Sequence, residues 1–192
     1  MASKPGERKL QILQTVAQML EQPKSEKITT AALAARLELS EAALYRHFAS
    51  KAQMFEGLID FIEQTVFGLI NKITQEEKSG LQQVEAMVSM LLGFAQKNRG
   101  MTRVLIGDAL VNEDERLQQR INQMLDRIEA TLKQSLRMAA TQGEMGAATD
   151  VGAHANLLVC YVIGRWQQFA KSGFTRDPMA QWPAQSAILL GK

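Results

Sequence analysis

Apolar residues recur every three to four positions along almost the whole chain, and no segment alternates apolar with polar residues as a half-buried strand would. That spacing draws an apolar stripe down one side of a helix, and each stripe must be buried against another helix. The fold class expected is therefore all-α, with about nine helices. The residue choice agrees: aromatics are only 6% of the chain, while Ala, Leu, Met and Gln, all helix formers, are plentiful. With 46% hydrophobic and 22% charged residues, the chain can bury a core and is not disordered as a whole.

The stripes predict a first helix over residues 7–21, stopped by Gln22-Pro23-Lys24-Ser25, then two short helices over residues 30–37 and 41–48. A capping box of Ser50 with Gln53 opens a helix of more than five turns, and Ser79 with Gln82 opens the next. A short helix is expected over residues 101–110, then one capped by Asn112 with Glu115 that runs past Leu136. Residues 141–149, with Gly143 and Gly146, read as a connection. Residues 150–171 form a helix apolar on most of its circumference. Asp177-Pro178, an N-cap before a proline, is expected to open a final helix reaching about Leu190.

The segment from Lys27 to Phe48 is the most informative. Two short helices joined by Glu38-Leu39-Ser40 can cross steeply only if small residues fill the crossing, and Ala31, Ala32, Ala34, Ala35, Ala42 and Ala43 supply them. Leu33, Leu37, Leu39, Leu44 and Phe48 give a compact core, closed by Leu13 and Val16. This is the construction of a helix-turn-helix, whose second helix enters the DNA major groove. Residues 1–51 are then a DNA-binding head and residues 52–192 a helical body for dimerisation and partner binding. Ser40 can cap the second helix or meet a phosphate, and Thr29 and Thr30 can offer hydroxyls and amides to another. Tyr45, His47 and Lys51 stand where a backbone clamp would lie, although Tyr45 also fits a core edge and His47 a plain surface position. Glu41 and Arg46 are long enough for base hydrogen bonds, and Ala42 could pack on a thymine methyl.

Charge permits this reading without carrying it. Residues 1–51 hold eight Lys/Arg against five Asp/Glu, a net +3 on a chain of net +2. Catalysis is not expected, and neither is a metal or cofactor. His47 and His154 are the only histidines, no phosphate-loop or dinucleotide fingerprint occurs, and Cys160 has no histidine at helical spacing. Cys160 sits in an apolar run and reads as a buried thiol. No run of about 18 apolar residues would span a bilayer, so a cytoplasmic protein is expected. A symmetric dimer would place a second recognition helix about 34–36 Å from the first. The natural faces for pairing are the last two helices, with Leu157, Tyr161, Trp166 and Trp182 as anchors, unless they are buried inside one body.

The block Leu44-Tyr45-Arg46-His47-Phe48-Ala49-Ser50-Lys51, with Thr29-Thr30 upstream, resembles the signature of the TetR family of dimeric regulators. That family usually carries glycine where this chain has Glu38, and a positive φ there would strain Glu38 by roughly 1 kcal/mol. Within the family, Leu58 to Glu63, Leu91-Leu92-Gly93-Phe94, Asn98, Thr102-Arg103, Arg120 to Ala130 and Trp182-Pro183 resemble the nucleoid occlusion factors. The resemblance implies a homodimer on palindromic duplex sites of the nucleoid, which when bound engages the division protein FtsZ and antagonises its assembly. It places the FtsZ-facing surface at Phe61, Met90, Gly93, Lys97 and Asn98, with Leu69 where an arginine is usual. Phe61 and Met90 also fit the core stripes of their helices, and Gly93 could serve close helix approach. The alternative is a ligand-responsive repressor with the same head, for which Met87, Met101, Trp166 and Phe169 could line a cavity. A small-molecule effector is not expected on the occlusion reading.

Overall fold

The computed structural model describes residues 5–22, 28–146 and 148–191. Among them it has nine α-helices, one 3-10 turn and no strand, as the helical spacing requires. The helices are α1 (Pro5–Leu20), α2 (Thr30–Arg36), α3 (Glu41–Tyr45), α4 (Lys51–Glu76), α5 (Gly80–Lys97), α6 (Arg99–Leu105), α7 (Glu115–Thr141), α8 (Val151–Lys171) and α9 (Trp182–Leu190). The 3-10 turn is Asp108–Leu110. The chain divides into two compact units. One holds the described residues up to Ile62 together with Asn98–Ile121; the other holds Glu63–Lys97 and Asn122–Lys192.

The first unit is organised on α1, whose stripe Ile12, Val16 and Leu20 is buried. Helix α6 lies so close to α1 that a Cβ on Gly100 would sit 1.9 Å from the carbonyl oxygen of Ala17. Helix α1 has no basic residue in its last turn. Arg103 of α6 supplies one: its Nη1 donates to the carbonyls of Leu20 and Gln22 at 3.4 Å, and its Nη2 pairs with Asp108 at 2.7 Å. A cation on the negative end of the α1 dipole is a favourable placement. Arg120 of α7 and Asp60 of α4 form a further ion pair in this unit, at 2.5 Å.

The second unit brings α5 against α7 at Gly80, where a Cβ would meet the amide nitrogen of Ala139 at 2.3 Å. The α5 N-terminus is closed by Ser79, which accepts from the Gln82 amide at 3.2 Å, and by the far end of α7. There Gln142 accepts from Gly80 N–H and Glu144 from Leu81 N–H, both at 2.9 Å. The Ser79 hydroxyl and the Leu81 amide hold the Glu144 carboxyl below its ordinary value. In the core, the Ser135 hydroxyl donates to Gln83 at 2.7 Å, and Gln83 Nε2 donates to the carbonyls of Thr74 and Glu77. No buried side-chain polar atom is left without a partner among the described residues.

Several expectations need correction. The helix expected over residues 101–110 is two pieces, α6 and the 3-10 turn, parted at Gly107 with φ 77°. Helix α7 is capped by Asp114, not Asn112: Asp114 accepts from the Arg116 amide at 3.0 Å, while Asn112 turns the chain at φ 63°. The Arg116 guanidinium on Asp114 lowers its carboxyl to about 2. The last helix starts at Trp182, not after Asp177. Arg165 donates to the carbonyls of Asp177 and Pro178 at 2.8 and 3.1 Å, and the Asp177 carboxylate caps only a local turn at Met179, in which Ala180 N–H donates to the Asp177 carbonyl at 3.4 Å. Gln53 reaches back to the amide of Ala49, one residue before the cap expected for it. Cys160 is exposed, because it falls on the outer stripe of α8 and not on the face that buries Leu158 and Val162. Residues 23–25, the expected stop of the first helix, lie outside the described residues.

Candidate nucleic-acid interface

Helix α2 opens on Thr29, whose hydroxyl accepts from the Ala32 amide at 3.1 Å, and α3 opens on Ser40, whose hydroxyl accepts from Ala43 at 3.1 Å. Between them the chain closes α2 with paired bonds, Glu38 N–H to Ala35 O at 3.1 Å and Leu39 N–H to Ala34 O at 2.9 Å. That pairing requires its central residue in the left-handed region, and Glu38 has φ 55°. The core beneath is Leu33, Leu37, Leu44 and Phe48, all buried, closed by Val16 and by Leu13 beside Phe48 and Gly57. Only Ala34 and Ala43 of the six alanines are turned inward; Ala31, Ala32, Ala35 and Ala42 are exposed. The crossing is therefore narrower than the count of alanines implied. Helix α3 ends at Tyr45, three residues short of the expected end, and the chain turns at Arg46 and His47.

Two other helices of the chain end with the same bond pair, and both place glycine at the left-handed position, Gly143 and Gly173. Glu38 alone carries a side chain there. Glu38→Gly should stabilise the protein by about 0.5–1 kcal/mol, the left-handed penalty less the extra chain entropy of glycine. The expected reading is a thermal midpoint raised by about 2 °C at this chain length, whereas Glu38→Ala should give no gain. A lower midpoint for the glycine variant would contradict the strain.

The outer face carries most of the residues singled out for DNA, and it is already organised. Tyr45 is 43% exposed, its hydroxyl donating at 3.5 Å to Thr30, whose own hydroxyl donates to Glu41 at 2.6 Å. Glu41 is thereby tied to the start of α2. Arg46 and Ala42 are exposed and His47 is half-buried. Lys51 is different: its ammonium pairs with Glu113, both side chains largely buried, and it also lies 5.6 Å from the Phe55 ring centroid. Lys51 is thus a committed cation and not an open phosphate clamp. Sequence reasoning missed Glu113, which stands 62 residues further along and has no local spacing to announce it.

The residues singled out for a protein partner fall on both units. In the first, Phe61 is 39% exposed although its neighbours Leu58 and Ile62 are buried, so it is not part of the core stripe; Asn98 is half-buried. In the second, Lys97 is exposed, Met90 half-buried, and Leu69 40% exposed. A Cβ on Gly93 would meet nothing within 4 Å, so close helix approach does not explain that glycine.

For dimerisation, Leu157 is 53% exposed and Tyr161 half-buried, its hydroxyl donating to Gln185 at 2.7 Å. Trp166 is 0% exposed and donates to the Leu91 carbonyl at 3.1 Å, so it is a core residue and not an interface anchor. Trp182 is buried as well, its ring 5.7 Å from that of Tyr161. Met87 and Phe169, offered as cavity lining, are buried; Met101 is half-buried. Two clefts of this unit, about 420 and 440 Å³, are lined mainly by polar side chains and by none of Met87, Met101, Trp166 and Phe169.

Residues 12–58 match the family model described as bacterial regulatory proteins of the tetR family, and residues 78–192 match the model of a tetracyclin repressor-like C-terminal domain of the SlmA-like type. The chain is 48% identical over 189 residues to a nucleoid occlusion factor SlmA of Marinomonas sp., covering 98% of this chain and 96% of the relative. It is 49% identical over 186 residues to a nucleoid occlusion factor SlmA of Alteromonas mediterranea, covering 97% and 95%. Among solved structures it is similar to the fatty acid degradation regulator FadR of Bacillus halodurans (TM-score 0.79, 15% identity, 100% and 97% covered). It is similar also to a TetR transcription regulator of Haloarcula marismortui (TM-score 0.81, 14% identity, 97% of each chain).

Proposed function

Because the chain belongs to the TetR family, in its branch of nucleoid occlusion factors, we propose that it is a homodimer that binds palindromic chromosomal sites and, once bound, antagonises FtsZ assembly over the nucleoid. The single observation that carries this is identity near one half sustained over almost the whole of both chains, partner-facing portion included. A head alone would support only a DNA-binding regulator.

Residues 1–51 are the DNA-reading head in this proposal and residues 52–192 the dimerisation and partner body. Arg46 and Ala42 approach the bases; Tyr45, His47, Thr29, Thr30 and Ser40 hold the backbone; Lys51 joins them if phosphate displaces Glu113. The dimer forms through an outer stripe of α8, Ala153, Leu157, Cys160 and Gly164, at spacings of four, three and four, all exposed. On α9 the exposed Ala187 and the 80% exposed Ile188 extend it. An apolar helical stripe left in water needs a partner, and a second copy of the same stripe supplies a self-complementary one. Among the described residues no helix is long and apolar enough to cross a membrane, and the site of action is the nucleoid. The FtsZ contact uses Phe61, Met90, Gly93, Lys97 and Asn98.

Co-sedimentation of polymerised FtsZ tests this reading. With a palindromic duplex selected by this protein from a randomised pool, the pelleted FtsZ should fall; with a scrambled duplex it should fall much less. Phe61→Ala should abolish the effect while leaving DNA affinity unchanged, since Phe61 lies outside the head. FtsZ pelleting that ignores the protein in both arms would overturn the occlusion reading and leave a DNA-binding regulator.

A further inference from the structure

The head carries one cation that neither spacing nor family signature singles out. Lys9 lies in the second turn of α1, and its ammonium stands 5.5 Å from the centroid of the Phe48 ring. Phe48 directly follows His47 and lies two residues beyond Arg46, in the turn that ends the recognition element. A Cβ built on Gly57 would meet that ring at 3.2 Å and Leu13, one turn after Lys9 in α1, at 3.3 Å. The Lys9 contact with the Phe48 ring places its ammonium beside the exit of α3, although it is far from α3 in sequence.

Among the described residues, several cations of this unit are already engaged by polar partners, whereas Lys9, like Arg46, is not. Arg8 bonds Gln11 at 2.8 Å, Lys51 is paired with Glu113, and Arg103 with Asp108. Lys9 is exposed, and no ion pair holds it among the described residues. Cation–π contact over the ring face orients the ammonium without neutralising it, so its three donors remain available. An ammonium that is held in place but still charged suits one oxygen-rich anion well, a backbone phosphate.

We propose that Lys9 is a phosphate-binding residue of the DNA interface, which it flanks from α1 beside the turn Arg46–Phe48. The inference rests on the DNA-binding reading. A phosphate contact contributes affinity and register but no sequence discrimination. Each one adds about 0.9 to the slope of log affinity against log salt, so a dimer carrying two would lose about 1.8 without them.

The test titrates the full-length protein with its selected palindromic duplex, and with a scrambled one, over a salt series. For Lys9→Gln the slope should flatten by about 1.8, making the affinity lost between about 50 and 200 mM salt roughly tenfold smaller than for the wild type. Preference for the selected over the scrambled duplex should not change. Lys9→Arg should keep the wild-type slope. A packing role over Phe48 would instead lower the thermal midpoint and leave the slope intact, and that result overturns the proposal. A wild-type protein that shows no preference for the selected duplex removes the DNA-binding reading itself, and this inference with it.

Discussion

Gly100→Ala is expected to lower the thermal midpoint by roughly 10 °C, the response of a chain of this length to about 3 kcal/mol. The added methyl would lie 1.9 Å from the carbonyl oxygen of Ala17 and 2.8 Å from its carbonyl carbon. Neither is the end of a side chain that can swing aside; both are backbone of α1. Relief requires α1 and α6 to part, which loosens the core of Ile12, Val16 and Leu20 and draws Arg103 off the end of α1. Overpacking ordinarily costs about 1–3 kcal/mol, and an immovable backbone obstacle belongs at the upper end or beyond. Gly93→Ala is the control. Nothing lies within 4 Å of its Cβ, and alanine within a helix is favoured over glycine by about 0.5–1 kcal/mol. The control should hold or raise the midpoint. If both variants melt together, the tight approach of α6 to α1 is wrong. Because α1 also carries Leu13 against Phe48, DNA affinity should fall with the midpoint in Gly100→Ala.

Which features could be read from the sequence follows from how local their causes are. Helical spacing and N-caps act within a few residues, so the nine helices and the caps at Ser40 and Ser79 were legible. Glu38 was legible too, through the family resemblance, which usually places glycine at that turn position. What failed was decided at a distance. Arg165, twelve residues before Asp177, holds the carbonyls of Asp177 and Pro178 in a local turn, and nothing around Pro178 reveals it. Cys160 sits in an apolar run that winds past the outer face of α8, so hydropathy alone cannot say which of its residues face out. Trp166 and Trp182 were drawn to the interface by size, whereas the protomer itself buries both.

The same distinction applies inside the site. The residue types of the recognition element were legible, but not their commitments. The Glu41 carboxylate is spent on Thr30 and the Lys51 ammonium on Glu113, each through a partner outside its own helix. A DNA surface read from composition would count Glu41 as a reader and Lys51 as a free cation. In the folded chain one Glu41 oxygen accepts from Thr30 and the Lys51 ammonium is paired with Glu113.

Arg46 is the one that remains. It is exposed at the end of α3, has no ion pair among the described residues, and is the sole long donor of the recognition element not already engaged. Guanidinium offers two parallel donors that match the acceptor pair of a guanine edge, a contact worth about 1–3 kcal/mol in discrimination. A dimer presents it twice. Arg46→Ala should therefore weaken binding to the selected duplex by roughly a hundredfold or more, while affinity for the scrambled duplex changes far less. Loss of preference is the mark of base reading; an equal loss on both duplexes, with a flattened salt slope, would put Arg46 on a phosphate instead. Arg46→Lys keeps the charge but not the fork, so it should keep the salt slope and still lose preference. Fold and dimer should be untouched, since no core residue depends on the guanidinium. Wild-type affinity and preference in Arg46→Ala would mean that this end of α3 does not face the groove. The element would then have to dock by its start, at Ser40 and Ala42, with Glu41 released from Thr30.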